Sequence, residues 1–418
     1  MNNWITIPFE DLYVEPSRNG LNRPKRVRGN GYRMVNMGEL FACDRIRDLE
    51  MDLVPMNEAE KEKYSLEQGD LLFARQSLVA EGAGKCSIIL ETPQLTTFES
   101  HLIRVRLNKN KANPLFYYYY FVSPYGKINV QSLVMQVAAA GIRGSELARL
   151  RIPFPPLATQ SKIASIISAY DDLIENNTRR IKILEEMAQM LYREWFINFR
   201  FPKHENIKMV ESELGLIPEG WEVKKVGDIA QEVRRGVNPN LVDPETPYFG
   251  LEHLPRKSIA LSDWGKAGDI QSTKLAFKKG EILFGKIRPY FHKVGVAPVD
   301  GICSSDAIVI QPKNSKYFAS VLSCVSSEDF VNHATQTSQG TKMPRANWDV
   351  LTKYPVVLPT SNLLNQFNEF INNAVQEIQN LVLKNINLRK TRDLLLPKLI
   401  SGEIEVENLD IETLEIAA

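Results

Sequence analysis

The stretch PPLATQSKIASIISAYDDLIENNTRRIKILEEMAQMLYREWFINFRF, Pro155 to Phe201, opens on a proline pair and then runs without Pro or Gly until Pro202. Its apolar residues Ile163, Ile166, Tyr170, Leu173, Ile181, Leu184, Ala188, Leu191 and Trp195 step mainly by threes and fours. That spacing predicts one long helix with an apolar seam, and the extra four-residue step at Asn177–Ile181 predicts a local unwinding. About 40 residues at about 1.5 Å each make a rod of roughly 60 Å. A rod of that length in mid-chain is expected to hold two bodies apart.

A second such stretch covers Leu363–Ile400. Its seam, Phe367, Ile371, Ala374, Ile378, Leu381, Asn385, Leu388, Arg392, Leu395 and Leu399, alternates four and three without a break, which implies a left-handed supercoil. Each seam carries one asparagine, Asn177 and Asn385; a polar seam residue costs stability and fixes register. Two rods in one chain pair most simply with each other, antiparallel, because each follows a globular segment. The expected product is a dumbbell with a pseudo-two-fold axis.

Self-similarity supports that arrangement. Trp4 is followed by Asp11 as Trp221 is by Asp228; Gly69-Asp-Leu-Leu-Phe-Ala-Arg75 is echoed by Gly280-Glu-Ile-Leu-Phe-Gly-Lys286. Glu99–Arg104 answers Ser304–Val309, Pro114–Tyr117 answers Ser315–Ala319, and Pro156 answers Pro359, all in the same order. In the first copy Asp70–Ala74, Ser87–Glu91 and His101–Leu107 are β-rich, the last alternating in period two, and Pro114–Val122 is an aromatic helix with Pro at its start. Glu281–Phe284, Ala307–Gln311 and a helix at Tyr317–Ser323 repeat the series. The tyrosine run 117–120 is expected to pack on its own sheet rather than to stack on bases.

The chain of 418 residues is too long for one core of usual size. The segments read as a mixed domain 1–154, a helical spacer 155–202, a second mixed domain 203–358, a second spacer 359–402 and an acidic, solvated tail 403–418. The fold class is α+β: two pseudo-symmetric mixed α/β domains joined by two long antiparallel coiled-coil helices. A composition 44% hydrophobic and 24% charged is that of a soluble globular chain. No apolar run approaches a membrane span, and residues 1–15 lack an export signal, so a cytoplasmic location is expected. Cys43, Cys86, Cys303 and Cys324 are scattered, with no CxxC pair, which fits a reduced compartment without structural zinc. The net charge is +1, from 51 basic and 50 acidic residues. Removing the six acids of 403–418 leaves the rest at +7, which permits a nucleic-acid partner without requiring one.

Catalytic signatures are missing. Gly82-Ala-Gly-Lys-Cys86 fails as a phosphate loop, since Val79 stands at its first glycine and Cys86 at its Ser/Thr; it reads as a tight turn between strands. There is no GxGxxG after a strand, no Asn/Asp-Pro-Pro-aromatic run, no nuclease signature and no clustered histidine. No catalytic or metal-binding residue is expected. What remains are basic and polar loops at matching places: Arg75-Gln76-Ser77 and Lys85 in copy one, Lys286, Arg288, Tyr290 and Lys293 in copy two. Before the rods lie Gly141-Ile-Arg143 and Gly340-Thr341-Lys342-Met-Pro-Arg345. Arg and Lys reach guanine edges, Gln and Asn reach adenine, and all can hold phosphates. The basic run Arg18–Arg33 is a further candidate for phosphate.

Leu184-Glu-Glu-Met-Ala-Gln-Met-Leu-Tyr-Arg-Glu-Trp-Phe196 and Gly215-Leu-Ile-Pro-Glu-Gly-Trp-Glu222 resemble the central conserved region of type I restriction-modification specificity subunits. Leu388-Arg-Lys-Thr-Arg-Asp-Leu-Leu-Leu-Pro-Lys-Leu-Ile-Ser-Gly402 resembles their distal conserved region. Thr159-Gln160 and Asn365-Gln366 depart from the Glu-Gln often found at the rod entrance. The resemblance implies a non-catalytic chain whose two target-recognition domains each read half of a bipartite double-stranded DNA target. It implies rods that set the gap and dock two methyltransferase subunits, with two restriction subunits joining in the full complex. Docking residues on that reading are Leu184, Leu191, Trp195, Phe196, Leu388, Arg392, Leu395 and Leu399. S-adenosylmethionine, ATP and magnesium would belong to the partners, with none bound by this chain. The alternative is a coiled-coil adaptor that links two proteins and never touches DNA.

Overall fold

A computed structural model describes residues 4–77, 82–136 and 140–410. The chain divides into two compact units: residues 1–172 with 389–418, and residues 173–388. Two long helices, Leu157–Tyr192 and Ser361–Ile400, each contribute to both units.

The same sheet is built in each unit, in the same order. The first unit has Arg18–Asn19, Leu102–Val105, Leu71–Ala74, Cys86–Ile89 and Arg45–Ile46; the second has Ala230–Glu232, Ala307–Pro312, Ile282–Gly285 and Val294–Val296. Registers agree as well. Ala74 faces Leu102 and Leu71 faces Val105, as Gly285 faces Ala307 and Ile282 faces Ile310. A second sheet in each unit holds one parallel pair, Tyr32–Val35 with Thr96–Phe98 and Pro247–Phe249 with Gly301–Cys303. Two helices then pack on the main sheet, Pro114–Val122 and Pro124–Gln131 in one unit, Phe318–Val325 and Glu328–Gln336 in the other. Their starts are set by local chemistry: Asn113, Ser123 and Ser327 each accept from backbone N–H groups of the first turn, and Pro stands at the first helical position after Asn113 and Ser123. Tyr117 to Tyr120 are all buried in the first core, as their packing role required.

The duplication is thereby carried to single residues. Gln160 donates its N–H to Pro156 and Leu364 to Thr360, so the helix entrances are related by 204 residues, one more than the Pro156–Pro359 match.

Three features were not legible in the spacing. First, the alternating strand Leu102–Val105 is buried at every residue. Arg104 is 1% exposed, donating to Glu15 at 2.6 Å and to the Ser65 carbonyl at 2.9 Å, because the second sheet covers it. Second, the first rod has no stutter. Leu173 is 51% exposed, whereas Ile163, Ile167, Ile174, Asn177 and Ile181 are buried, so the seam keeps plain heptad spacing. Steps of three or four from Ile163 fit either choice; contacts select Ile167 over Ile166. The irregularity lies at its end, where Arg193–Ile197 forms a π-turn at the place that Pro397 occupies in the second helix. Third, residues 403–410, though mostly exposed, are anchored to the first unit. Val406 is buried in the first core, and Lys162 donates to the Glu407 and Leu409 carbonyls at 2.8 and 2.9 Å. The remaining tail, 411–418, lies outside the described residues.

In both units the long helices run antiparallel. In the first, Asp171 meets Arg392 at 2.5 Å; in the second, Asn177 meets Asn385 at 2.9 Å and Arg180 meets Glu377 at 2.7 Å. Phe367 closes the second unit's helix pair against Phe196, centroids 4.6 Å apart, with Trp221 also against Phe196 at 5.6 Å.

Candidate nucleic-acid interface

The loop after the second sheet strand and the loop before the long helix are joined in each unit by the same short ladder. In the first unit Arg75 donates its N–H to the His101 carbonyl at 2.8 Å and accepts from Ile142 at 2.9 Å. In the second, Lys286 donates to Asp306 at 2.9 Å and accepts from Ala346 at 2.9 Å. Gln76 pairs with Gly141 and Ser77 with Ala140; Ile287 pairs with Arg345, and Arg288 donates to Pro344 at 2.8 Å. The two loop sets are therefore equivalent frames, with Arg75 matched to Lys286, Gln76 to Ile287, Ser77 to Arg288 and Gly141 to Arg345.

Several candidates meet on these frames. Arg75, Gln76, Ser77 and Arg143 come together in the first unit, with the His101 ring 3.1 Å from Gln76. Lys286, Arg288 and Arg345 come together in the second, beside exposed Thr341 and Lys342. Tyr290 joins them at 52% exposed on the turn Pro289–Phe291. Arg288 at φ +49° and His292 at φ +51° flank that turn in the left-handed region, a conformation that costs a non-glycine residue roughly 1–2 kcal/mol. The strain is held from below: the His292 ring lies 2.8 Å from the Ser326 carbonyl, and Arg256 stacks 4.2 Å from the Phe291 centroid.

Two candidates are turned elsewhere. Lys85 donates to the Phe41 carbonyl at 2.9 Å and pairs with Asp44 at 2.9 Å, so it pins the turn before Cys86–Ile89. That turn is a turn for a steric reason: Gly84 has φ +78°, and a Cβ there would meet Val130 at 2.2 Å. Val79, which stands where a phosphate loop has its first glycine, lies outside the described residues. Lys293 donates to the Leu251 carbonyl, and burial pushes its ammonium pKa down. The basic run also proves largely structural: Arg23 is held by Glu60 at 2.6 Å, Arg28 by Asp52 at 2.6 Å and Arg33 by Asp48.

The helix residues named as docking contacts face inward. Phe196 is buried in the second core with Leu191 and Trp195 packed on it, and Leu184 packs on Ile181, Ile378 and Leu381. Leu399 is buried in the first core with Leu395 against it, Leu388 is half-buried, and Arg392 is tied to Asp171 and Asp393. An apolar residue on a heptad seam is claimed by the chain's own partner helix, which leaves other positions for anything else. Exposed apolar residues stand at Leu157, Leu173, Ile183, Met187 and Met190 on the first helix, at Ile197 just beyond it, and at Phe370 and Leu394 on the second. Met190 and Leu394 are equivalent, 204 residues apart, and are 59% and 60% exposed.

The second unit's frame has one further wall that no motif announces. An open pocket of about 510 Å³ is lined by Lys286, Gln339 and Arg345 from the loops and by Glu232 and Arg234, with Ile308 and Trp348 also lining it. Glu232 ends the edge strand Ala230–Glu232 and Arg234 follows it, both distant in sequence from the loops, and no motif marks them.

Among the described residues no helix is long and apolar enough to cross a membrane. The family model described as the type I restriction modification DNA specificity domain matches the chain twice, over residues 29–186 and 218–380. The type I restriction enzyme MjaIX specificity subunit of Methanocaldococcus jannaschii is 30% identical over 280 residues, 64% of this chain and 64% of that protein. The putative type I restriction enzyme MjaX specificity subunit of the same organism is 29% identical over 295 residues, 69% of this chain and 61% of that protein. The matched stretch thus spans less than two thirds of the length of either relative. A crystal structure of the type I restriction-modification system S subunit from M. genitalium has the same fold, with a TM-score of 0.61 at 14% identity over 96% of this chain and 97% of that one.

Proposed function

The chain belongs to the family defined by the type I restriction modification DNA specificity domain, which it carries twice, and we propose that it selects the DNA target of such a system. The observation that carries this reading is the pair of equivalent loop frames, alike in backbone and different in side chains. Two equal scaffolds with unequal walls suit a target of two unequal halves. Arg, Lys, Gln and Ser at the frames supply both phosphate and base-edge contacts.

In this reading the chain makes and breaks no bonds. A methyltransferase with S-adenosylmethionine, and a restriction subunit with ATP and magnesium, supply the chemistry within the cell. Each methyltransferase subunit docks on an outward helix face, at Met190 or at its equivalent Leu394, so two subunits bind. Exposed apolar residues repeated at equivalent places are what a partner present in two copies would use.

Exchanging residues 1–150 for those of another family member tests the reading. One half of the methylated motif should change while the other half and the gap stay the same, as read by methylome sequencing of the host. If both halves change, or neither does, the two-reader assignment is wrong. Met190→Asp together with Leu394→Asp tests the docking faces. Both side chains are solvent-exposed, so the melting temperature should hold, while co-purification of the methyltransferase should fall by roughly thirtyfold or more if either is a hot spot. Unchanged recovery of the partner would place docking elsewhere.

A further inference from the structure

We infer that Arg234 and Asn19 are the residues that make the two frames read different bases. The inference rests on the proposed DNA-reading function and adds to it a pair of positions that no motif marks.

The equivalence comes from register. Ile103 faces Asn19 across the antiparallel edge of the first sheet. Glu232 faces Ile310 in the second, and Val233 donates to Val309 at 2.8 Å, which sets Arg234 opposite Ile308. Because Ile103 and Ile308 hold the same place relative to Phe73 and Phe284, Asn19 and Arg234 are the same position, and Ser17 matches Glu232. A separate contact agrees. Gly144 is the counterpart of Trp348, and a Cβ on Gly144 would lie 3.0 Å from Ser17 Oγ and 3.8 Å from Ile103. Trp348 accordingly lines the second unit's pocket with Glu232 and Ile308.

Four features of the position suit a reader. It sits at the end of an edge strand for Asn19 and two residues past one for Arg234, and both side chains are exposed. It faces the loop that carries Lys286 and Arg345, so a duplex edge entering the pocket would meet both walls. Arg234 is held by Glu232 at 2.7 Å, which orients the guanidinium and leaves donors of its fork to spare. Finally, the chemistry differs where the backbone does not: Arg bonds guanine O6 and N7, whereas Asn bonds adenine N6 and N7. The second frame is thus equipped for guanine at this step and the first for adenine.

The test is the reciprocal substitution, Arg234→Asn and Asn19→Arg, in the full chain assembled with its methyltransferase, selecting from a randomised duplex library. Each substitution should alter the preferred base at one position of one half-site, by roughly tenfold to a hundredfold in relative selection. The other half-site should be untouched. A weakening that is uniform over sequence and comes with a shallower salt dependence would make Arg234 a phosphate contact and overturn the inference. An unchanged selection profile in both variants would also overturn it. A wild-type complex that selects no bipartite motif would instead defeat the underlying function, so the two failures are distinct.

Discussion

Asp171→Ala is expected to destabilise the first unit by about 3–5 kcal/mol, the usual cost of removing one member of a buried ion cluster. Asp171 is 7% exposed. One carboxylate oxygen accepts from Arg392 at 2.5 Å and the other from the Tyr119 hydroxyl at 2.9 Å, while Arg45 lies 3.9 Å away. Without the carboxylate, Arg45 and Arg392 would keep only Asp172 and Asp393, both partly exposed, and a buried hydroxyl would lose its acceptor. The neighbouring carboxylate of Asp172 meets Arg45 at 2.5 Å but is 44% exposed, so Asp172→Ala should cost about 1 kcal/mol or less. Asp171→Asn keeps an acceptor for Tyr119 and should fall between the two. Urea melts of the three variants decide the matter. Equal losses for Asp171→Ala and Asp172→Ala would show that burial gives the cluster no special weight.

The cluster also gives Arg392 a role that its place in the sequence did not suggest. On the sequence Arg392 is a charged residue on a heptad seam, a position that suits a partner's carboxylate. The partner exists inside the unit, on the other long helix, and only the antiparallel pairing brings Asp171 to it. Heptad spacing, cap residues and the order of echoed motifs are local signals, so helices, the aromatic helix at Pro114–Val122 and the duplication were legible. The loops at Arg75–Ser77 and Lys286–Arg345 were legible for the same reason, since each echoes the other. What was hidden depends on contacts between distant segments. Lys85 and Lys293 look like free cations until Asp44 and the Leu251 carbonyl are found beside them. Arg104 looks like the polar face of an alternating strand until the second sheet covers it. Arg234 and Asn19 carry no motif because their role comes from edge-strand register, which appears only when the sheets are laid side by side.

Asn177 and Asn385 offer the second large effect, and here the sign depends on how many residues are changed. Asn177 Nδ2 donates to Asn385 Oδ1 at 2.9 Å in a buried layer of the second unit's helix pair. Asn177→Leu leaves the Asn385 carbonyl oxygen without that donor, and Asn385→Ile leaves the Asn177 amide without its acceptor. Each single change should cost about 1–3 kcal/mol, the penalty of an unmet buried polar group. The double change, Asn177→Leu with Asn385→Ile, replaces both by apolar groups and should be nearly neutral or stabilising, so the cycle should show a coupling of about 2 kcal/mol or more. The substituents are the chain's own. With the helices related by 204 residues, Leu381 occupies in the second helix the place of Asn177, and Ile181 occupies in the first the place of Asn385. The asparagines therefore match only when the first helix meets the second. If two first helices from different chains paired antiparallel, Asn177 would face Ile181; if two second helices paired, Asn385 would face Leu381. Either mispairing buries an amide against an aliphatic side chain in each of its two equivalent layers, costing about 1–3 kcal/mol per layer. The double variant removes that discrimination, so it should refold at high concentration with more dimer than the wild type by size-exclusion chromatography, while melting no earlier in urea. A double variant as unstable as the sum of the single ones would mean that the amides act independently, and the pair would then select nothing.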